Sequence, residues 1–379
     1  YLLFGFRITR DGDEGTAGEL SVQAIAGDPH TTTAQLAGTV ALAAAGHERI
    51  VVGLSATAFF PGAAREHVHV PVTWAMTDAA PGGVTAASGE VLGKEMKSIT
   101  IAGRSDAVKE LELEELGRRL WSNRLEALLN TAMRDGRRDR ARALLVGNSY
   151  RQCARLARGI GEIADPRRLS VAVSAGPGSG RIPLPPGAQP LTADEFETFG
   201  HTRPGQVLIA PLSRVARGLN ILVPGQQISA IASIWVCVRP VAQVHEPAEL
   251  FASFNSAAVR AGQPSGNPAA VLDEQRKAAH NRLYWILRSD QRFSLLPRAL
   301  KAEVVAGMLV DFIQLAGRAR RGGTPVELYF VDGAFHDPRL SSDLASLVRY
   351  HYESLSAPER AVMRRIYGDA LVDDLLREH

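Results

Sequence analysis

Five short runs in this chain are apolar at nearly every position: residues 143–146, 169–173, 207–210, 233–238 and 326–331. A strand that is apolar only at alternate positions buries one face, whereas a strand apolar throughout is covered on both. Such strands alternating with helical sequence predict an α/β fold, a parallel sheet flanked by helices on both faces. The stretch 150–163 is the clearest crossover helix. Between 245 and 313 the rhythm breaks into three or four helical segments, interrupted by a Gly/Pro/Asn-rich patch at 261–268, which predicts a helical insertion. The tail, 341–379, reads as helical.

Upstream, residues 1–26 read as two strands joined by the turn-rich 11–15, and a helix follows at 31–45. A Pro/Gly-rich region then carries short strands such as Ser98-Ile99-Thr100-Ile101. A charged helix at about 107–136 bears Leu111, Leu113, Leu116, Leu120 and Leu125 at mixed three- and four-residue spacing.

Composition narrows the function classes. The 379 residues are 45% hydrophobic and 22% charged, which suits two domains or one large domain with insertions. Net charge is only +3 with a pI near 9.0, yet arginines cluster at 135–142, 151–168 and 318–321. That balance fits a nucleic-acid partner without requiring one, and for the cluster at 151–168 a solvated helix face is an equal reading. Cys153 and Cys237 stand in apolar contexts, so neither a disulfide framework nor a metal site is expected. No apolar run approaches 18 residues and no signal segment opens the chain, so the default expectation is a cytoplasmic protein with no membrane partner. The first residue, Tyr1, stands inside a strand-like run, which leads us to expect a fragment of a longer protein.

Several loops carry chemistry. Ser55-Ala56-Thr57 follows the apolar run 50–54 and sets two hydroxyls at a strand end, where α/β sheets bind ligands. Ser149 and Tyr150 follow the run 143–146; the hydroxyl either caps the next helix or holds a phosphate, and the ring can stack a base. Gly218 allows close backbone approach and Asn220 offers an amide to a ribose or to nucleic acid. Gln314, Gly317, Arg318 and Arg321 end the helical run at 304–313, and arginine suits phosphate because its planar fork makes two-point contacts. A solvated basic helix end is the plain alternative for the last group. Asp332 reads as a cap for the turn before Phe335. Trp235 and Trp285 read as core, and His67 with His69 as exposed strand.

In their order, these elements resemble motifs III to VI of the superfamily 2 helicases, and more finely the DinG/XPD-like and bacterial defence-island helicases. The finer resemblance rests on Gly53-Leu54-Ser55-Ala56-Thr57-Ala58-Phe59-Phe60-Pro61-Gly62, on Asn148-Ser149-Tyr150, and on Gly317-Arg318-Ala319-Arg320-Arg321-Gly322-Gly323. It implies a RecA-like fold and the C-terminal half of an ATP-dependent motor. Residues 1–65 would then end the first RecA-like domain, 66–140 connect, 141–340 form the second with its insertion, and 341–379 make the tail. It further implies ATP with Mg2+ as cofactors, Arg318, Arg321 and Gln314 at the catalytic phosphates, and Gly317, Gly218 and Asn220 beside the nucleotide. Ser55, Thr57, Ser149 and Tyr150 would couple to nucleic acid, single-stranded or duplex DNA, and defence-system proteins become candidate partners. Two departures stand out: Asn220 replaces the commoner Asp, and Arg217 precedes the glycine.

No Gly-x-x-x-x-Gly-Lys-Ser/Thr occurs; Gly93-Lys94-Glu95 lacks the hydroxyl, and the glycine patch 176–180 lacks the lysine. The magnesium ligands and the first RecA-like domain are therefore expected upstream, and these residues alone are not expected to hydrolyse ATP. The competing reading is a non-catalytic nucleic-acid-binding or scaffold module of the same fold. A Rossmann-type transferase would need a glycine-rich turn after its first strand, and none is present.

Overall fold

A computed structural model describes residues 2–9, 19–26, 42–47, 57, 59–64, 74, 82–87, 98–174, 183–216, 220–241, 247–261, 267–290, 292–368 and 371–377. The chain divides into two units, one made of 1–75 and 242–307, the other of 76–241 and 308–379.

In chain order the elements are β1 (Leu2–Thr9), β2 (Glu19–Ala26), β3 (Val84–Ala87), α1 (Asp106–Leu120), α2 (Glu126–Arg134), β4 (Ala143–Gly147), α3 (Tyr150–Gly161), β5 (Leu169–Ala172), β6 (Gln189–Leu191), β7 (Val207–Pro211), α4 (Leu212–Val215) and β8 (Ser233–Val236). Then come α5 (Pro247–Ala261), α6 (Pro268–Leu287), α7 (Arg298–Ala319), β9 (Val326–Phe330), α8 (Leu344–Ser354), α9 (Ala357–Tyr367) and α10 (Val372–Arg377).

In the first unit, β1 and β2 form the expected antiparallel pair, with Leu2 opposite Ala26. The acidic turn between them lies outside the described residues. Helices α5 and α6 bury Phe251, Phe254 and Ala279 between them. Trp285 is only partly buried, beneath the Arg282 guanidinium at 4.8 Å. That guanidinium also reaches Ser253 and Glu303.

The second unit holds a seven-stranded, all-parallel sheet in the order β3-β9-β8-β4-β7-β5-β6. The expected α/β class and parallel sheet are what the structure contains, and the helical tail follows as α8 to α10. Strands β4, β5, β7 and β8 are buried at every position, which is why their sequences show no alternation. Trp235 is core as expected, stacked on Tyr329 at 4.0 Å. Both cysteines are buried; the surrounding apolar groups push the Cys153 thiol up to about 12 and raise Cys237 as well.

Two local expectations need correction. Leu111 is 71% exposed, while Leu113, Leu116, Leu120, Leu125 and Leu129 face the core. The five-residue step from Leu120 to Leu125 is absorbed by a π-helical turn, Trp121–Leu125, which joins α1 to α2 and keeps the stripe aligned. Residues 98–101 form no strand. The Asp332 carboxylate accepts the Ile101 N–H at 2.9 Å and the next amide, Ala102 N–H, at 3.0 Å.

Helices α1 and α3 meet backbone to backbone. A Cβ on Gly159 would lie 1.9 Å from the Glu114 carbonyl oxygen, and one on Gly117 would lie 2.6 Å from that of Leu156. Arg151, Arg155 and Arg158 on α3 pair across this contact with Glu110 and Glu114 of α1. Ion pairing, rather than an open nucleic-acid face, is thus what three arginines of the 151–168 cluster do here. Gly159→Ala should destabilise by about 2 kcal/mol or more, because a clash with backbone has no side-chain rotamer to relieve it. Urea unfolding of this variant beside Gly317→Ala, whose added methyl meets nothing within 4 Å, would measure it. Equal midpoints would mean that the helices cross farther apart than described.

Candidate functional site

In a parallel sheet every strand enters at one edge and leaves at the other, so each loop is assigned to an edge by whether it precedes or follows its strand. The segment from Arg318 to Thr324 precedes β9 and lies at the amino edge. Helix α7 ends at Ala319, a 3-10 turn spans Arg321–Gly323, and Gly322 and Gly323 both have φ of +72°. Gly322 is required twice over: its φ is left-handed, and a Cβ there would sit 2.7 Å from the Gln227 carbonyl oxygen.

The turn is fixed through its backbone. Thr324 Oγ1 donates to the Ala319 and Arg321 carbonyls, at 3.0 Å each, and Ser229 N–H donates to the Arg321 carbonyl at 3.2 Å. Arg320 acts as a strut, its Nε donating to the Gly82 carbonyl. Arg318 and Arg321 differ from it. Among the described residues neither side chain has a carboxylate or carbonyl partner. Arg318 is partly buried beside an apolar cleft lined by Leu144, Val215, Ile221, Ile231, Ile234 and Leu315. Burial lowers its pKa and the nearby Arg321 cation lowers it further. Two like charges held close without a counter-ion form a site that favours an anion.

Gln314 lies one turn before Arg318 on α7 and is partly buried. Gly317 is exposed, and nothing in the described structure requires its smallness. A glycine in a helix costs about 0.5–1 kcal/mol relative to alanine, so this position is open without a packing reason. Asn220 adjoins the same region through Ile221: its backbone N–H donates to Glu197 at 3.0 Å, and its Oδ1 is buried with no hydrogen-bond partner. Gly218 lies outside the described residues.

Ser149 and Tyr150 follow β4, so they lie at the carboxyl edge, about 17 Å from the amino edge along a five-residue strand. Ser149 caps α3, its Oγ accepting Gln152 N–H at 3.2 Å, while Gln152 Oε1 accepts Asn148 N–H at 2.8 Å. The capping reading of Ser149 is therefore satisfied within the chain. The loop also stands at a topological switch point: the chain leaves β4 toward β5 on one side and leaves β7 toward β8 on the other. Crevices of this kind are where open α/β sheets take ligands. The residues drawn together from sequence thus fall at two places, Gln314, Gly317, Arg318, Arg321 and Asn220 toward the amino edge and Ser149 with Tyr150 at the carboxyl edge. Thr57 is buried in the first unit, while Ser55, His67 and His69 lie outside the described residues.

Asp332 caps the turn Gly333–Phe335 as expected, Oδ1 accepting Ala334 N–H at 3.0 Å. It does more than cap, because Oδ2 also accepts Arg239 N–H at 2.9 Å. Sequence reading missed Arg140 altogether; it is a buried guanidinium bonded to four backbone carbonyls. The only signal was its place directly before an apolar strand.

Among the described residues no group of three or more His, Cys, Asp or Glu is placed to hold a metal ion. No helix among them is long and apolar enough to cross a membrane. No protein family and no curated protein matches the sequence. Among solved structures, that of T4 UvsW aligns over 61% of this chain and 38% of its own, with 11% identity and a TM-score of 0.21, a likeness too shallow to carry an argument.

Proposed function

We propose that this chain is the C-terminal, RecA-like half of a superfamily 2 helicase or translocase and that it presents Arg318 and Arg321 to the phosphates of ATP. The observation that carries the reading is the pair itself: two arginines without a counter-ion among the described residues, projecting from a backbone-fixed turn beside an open glycine. In this reading Gly317 leaves room for the nucleotide, Gln314 orients the attacking water or the adjacent arginine, and Gly218 with Asn220 completes the nucleotide side. The unsatisfied Asn220 oxygen is consistent with a partner supplied on binding. Ser149 and Tyr150 serve the nucleic-acid track at the opposite edge, and Ser55 with Thr57 couples the two. ATP would bring its Mg2+ on ligands from a preceding RecA-like domain. A role beside defence-system proteins rests on the sequence resemblance alone.

Calorimetric titration of the chain with tripolyphosphate tests the phosphate site. Binding should weaken with added salt, and changing both Arg318 and Arg321 to Ala should weaken it at least about tenfold, as expected for losing two charge-assisted contacts. Unchanged affinity in the double variant would remove the reading.

A further inference from the structure

We propose that Arg140 is a positioning residue whose buried guanidinium sets the turn from which Arg318 and Arg321 project. This inference rests on the phosphate reading of those two arginines.

Arg140 closes the 3-10 turn Arg138–Arg140 that feeds β4, and it is 8% exposed. Its Nε donates to the Ser229 carbonyl at 2.8 Å; its Nη2 donates to those of Ile231 and Pro325 at 2.8 Å and, more weakly, to Ala319 at 3.3 Å. Three separate stretches therefore converge on one side chain: the approach to β8, the end of α7 and the entry to β9. Ala319 and Pro325 bracket the Arg321–Gly323 turn. The Ala319 carbonyl is among the last of α7, which lack an intrahelical partner and favour a cation. A planar, forked group is suited to several carbonyls at once in a way that an ammonium is not.

Stability alone accounts poorly for this arrangement. Among the described residues no carboxylate touches the guanidinium, and carbonyl dipoles face its charge. Burial, with the neighbouring Arg137, lowers its pKa to about 10, which still leaves it charged at neutral pH. A buried cation without a counter-ion is costly, and here two of the carbonyls that offset the cost, those of Ala319 and Pro325, bracket the turn that carries Arg321; site geometry of this kind is sensitive to displacements of about 1 Å.

Arg142 supplies a control. It is equally buried, at 4%, and also binds the backbone, donating to the Asp139 carbonyl at 2.5 Å and to the Thr202 carbonyl. It ties the backbone of the Arg138–Arg140 turn to Thr202 and makes no bond to 318–325.

The test uses the whole chain and tripolyphosphate, with each variant first shown to be folded by circular dichroism at the working temperature. Arg140→Met should weaken binding at least about tenfold, and Arg140→Lys, which keeps the charge but not the fork, should weaken it nearly as much. Arg142→Met should bind like the parent even if it melts earlier. A nitroxide on Arg321→Cys should gain mobility in the Arg140→Met background and not in Arg142→Met. Parent-like binding by Arg140→Met, with binding lost in the Arg318/Arg321 double alanine variant, would overturn the positioning role and leave the phosphate reading standing. If the double variant also binds like the parent, both fall. Should Arg140→Met not fold, Arg140→Lys decides on the same two readouts.

Discussion

Alanine at position 332 should cost the fold about 4–6 kcal/mol, since four buried N–H groups lose their acceptor at once and each unsatisfied group costs roughly 1–3 kcal/mol. Asp332 is fully buried and accepts from Ile101, Ala102, Arg239 and Ala334. All but Ala334 come from two segments distant in sequence, so the loss is largely tertiary rather than local. Asparagine keeps the shape but turns an NH2 toward two of the donors, and it should cost nearly as much. A marginally stable protein holds only about 5–15 kcal/mol in total, so the variant should unfold at much lower urea or fail to accumulate. Asp337 serves as a comparison, since its carboxylate pairs mainly with Arg339 in its own turn. Asp337→Ala should leave the midpoint where it was. A midpoint for Asp332→Ala close to the parent's would show that these bonds are not made as described.

The larger kinetic effect is expected at Arg321. On the proposed reading, in a protein that joins this chain to a magnesium-binding RecA-like domain, Arg321→Ala should lower DNA-stimulated ATP turnover by about 10³ to 10⁵, the range attributed to an arginine that meets developing phosphoryl charge. The side chain is exposed, so stability should hardly change, which separates a catalytic loss from an unfolded protein. Arg320→Ala should show the opposite balance, because that guanidinium is spent on the Gly82 carbonyl. Full turnover in Arg321→Ala would assign the pair to binding or to nothing.

Much of the fold could be read in advance because burial on both faces writes itself directly into composition: β4, β7 and β8 are apolar at almost every position. The basic turn was legible too, as Gln, Gly and two arginines between helix and strand. What stayed hidden depends on partners far away in sequence. Arg140 looks like one more arginine in a basic stretch, and its acceptors lie 89 to 185 positions onward. The Ile99 segment has strand composition, but its Ile101 N–H goes to a carboxylate 231 positions later instead of to a neighbouring strand. Leu111 was misread because a step of two residues, about 200° around an α-helix, puts it on the face opposite Leu113, Leu116 and Leu120. The division of the candidate residues between two edges was recoverable in principle: Ser149 follows its strand and Arg318 precedes its own, which in a parallel sheet sets them apart.

The strut from Arg320 to Gly82 has a consequence for how such a chain is made. Its two ends are 238 positions apart, and β3 pairs only with β9 from the same late region. At translation speeds of about 5–20 residues per second, β3 leaves the ribosome roughly 10–50 s before its partner exists. Once β8 has been made, and until β9 follows it, β8 also shows an open flank, and an unpaired strand edge invites association with other chains. Codon choice or chaperone supply across the stretch that encodes α5 to α7 should therefore govern soluble yield more than any change within the strands themselves.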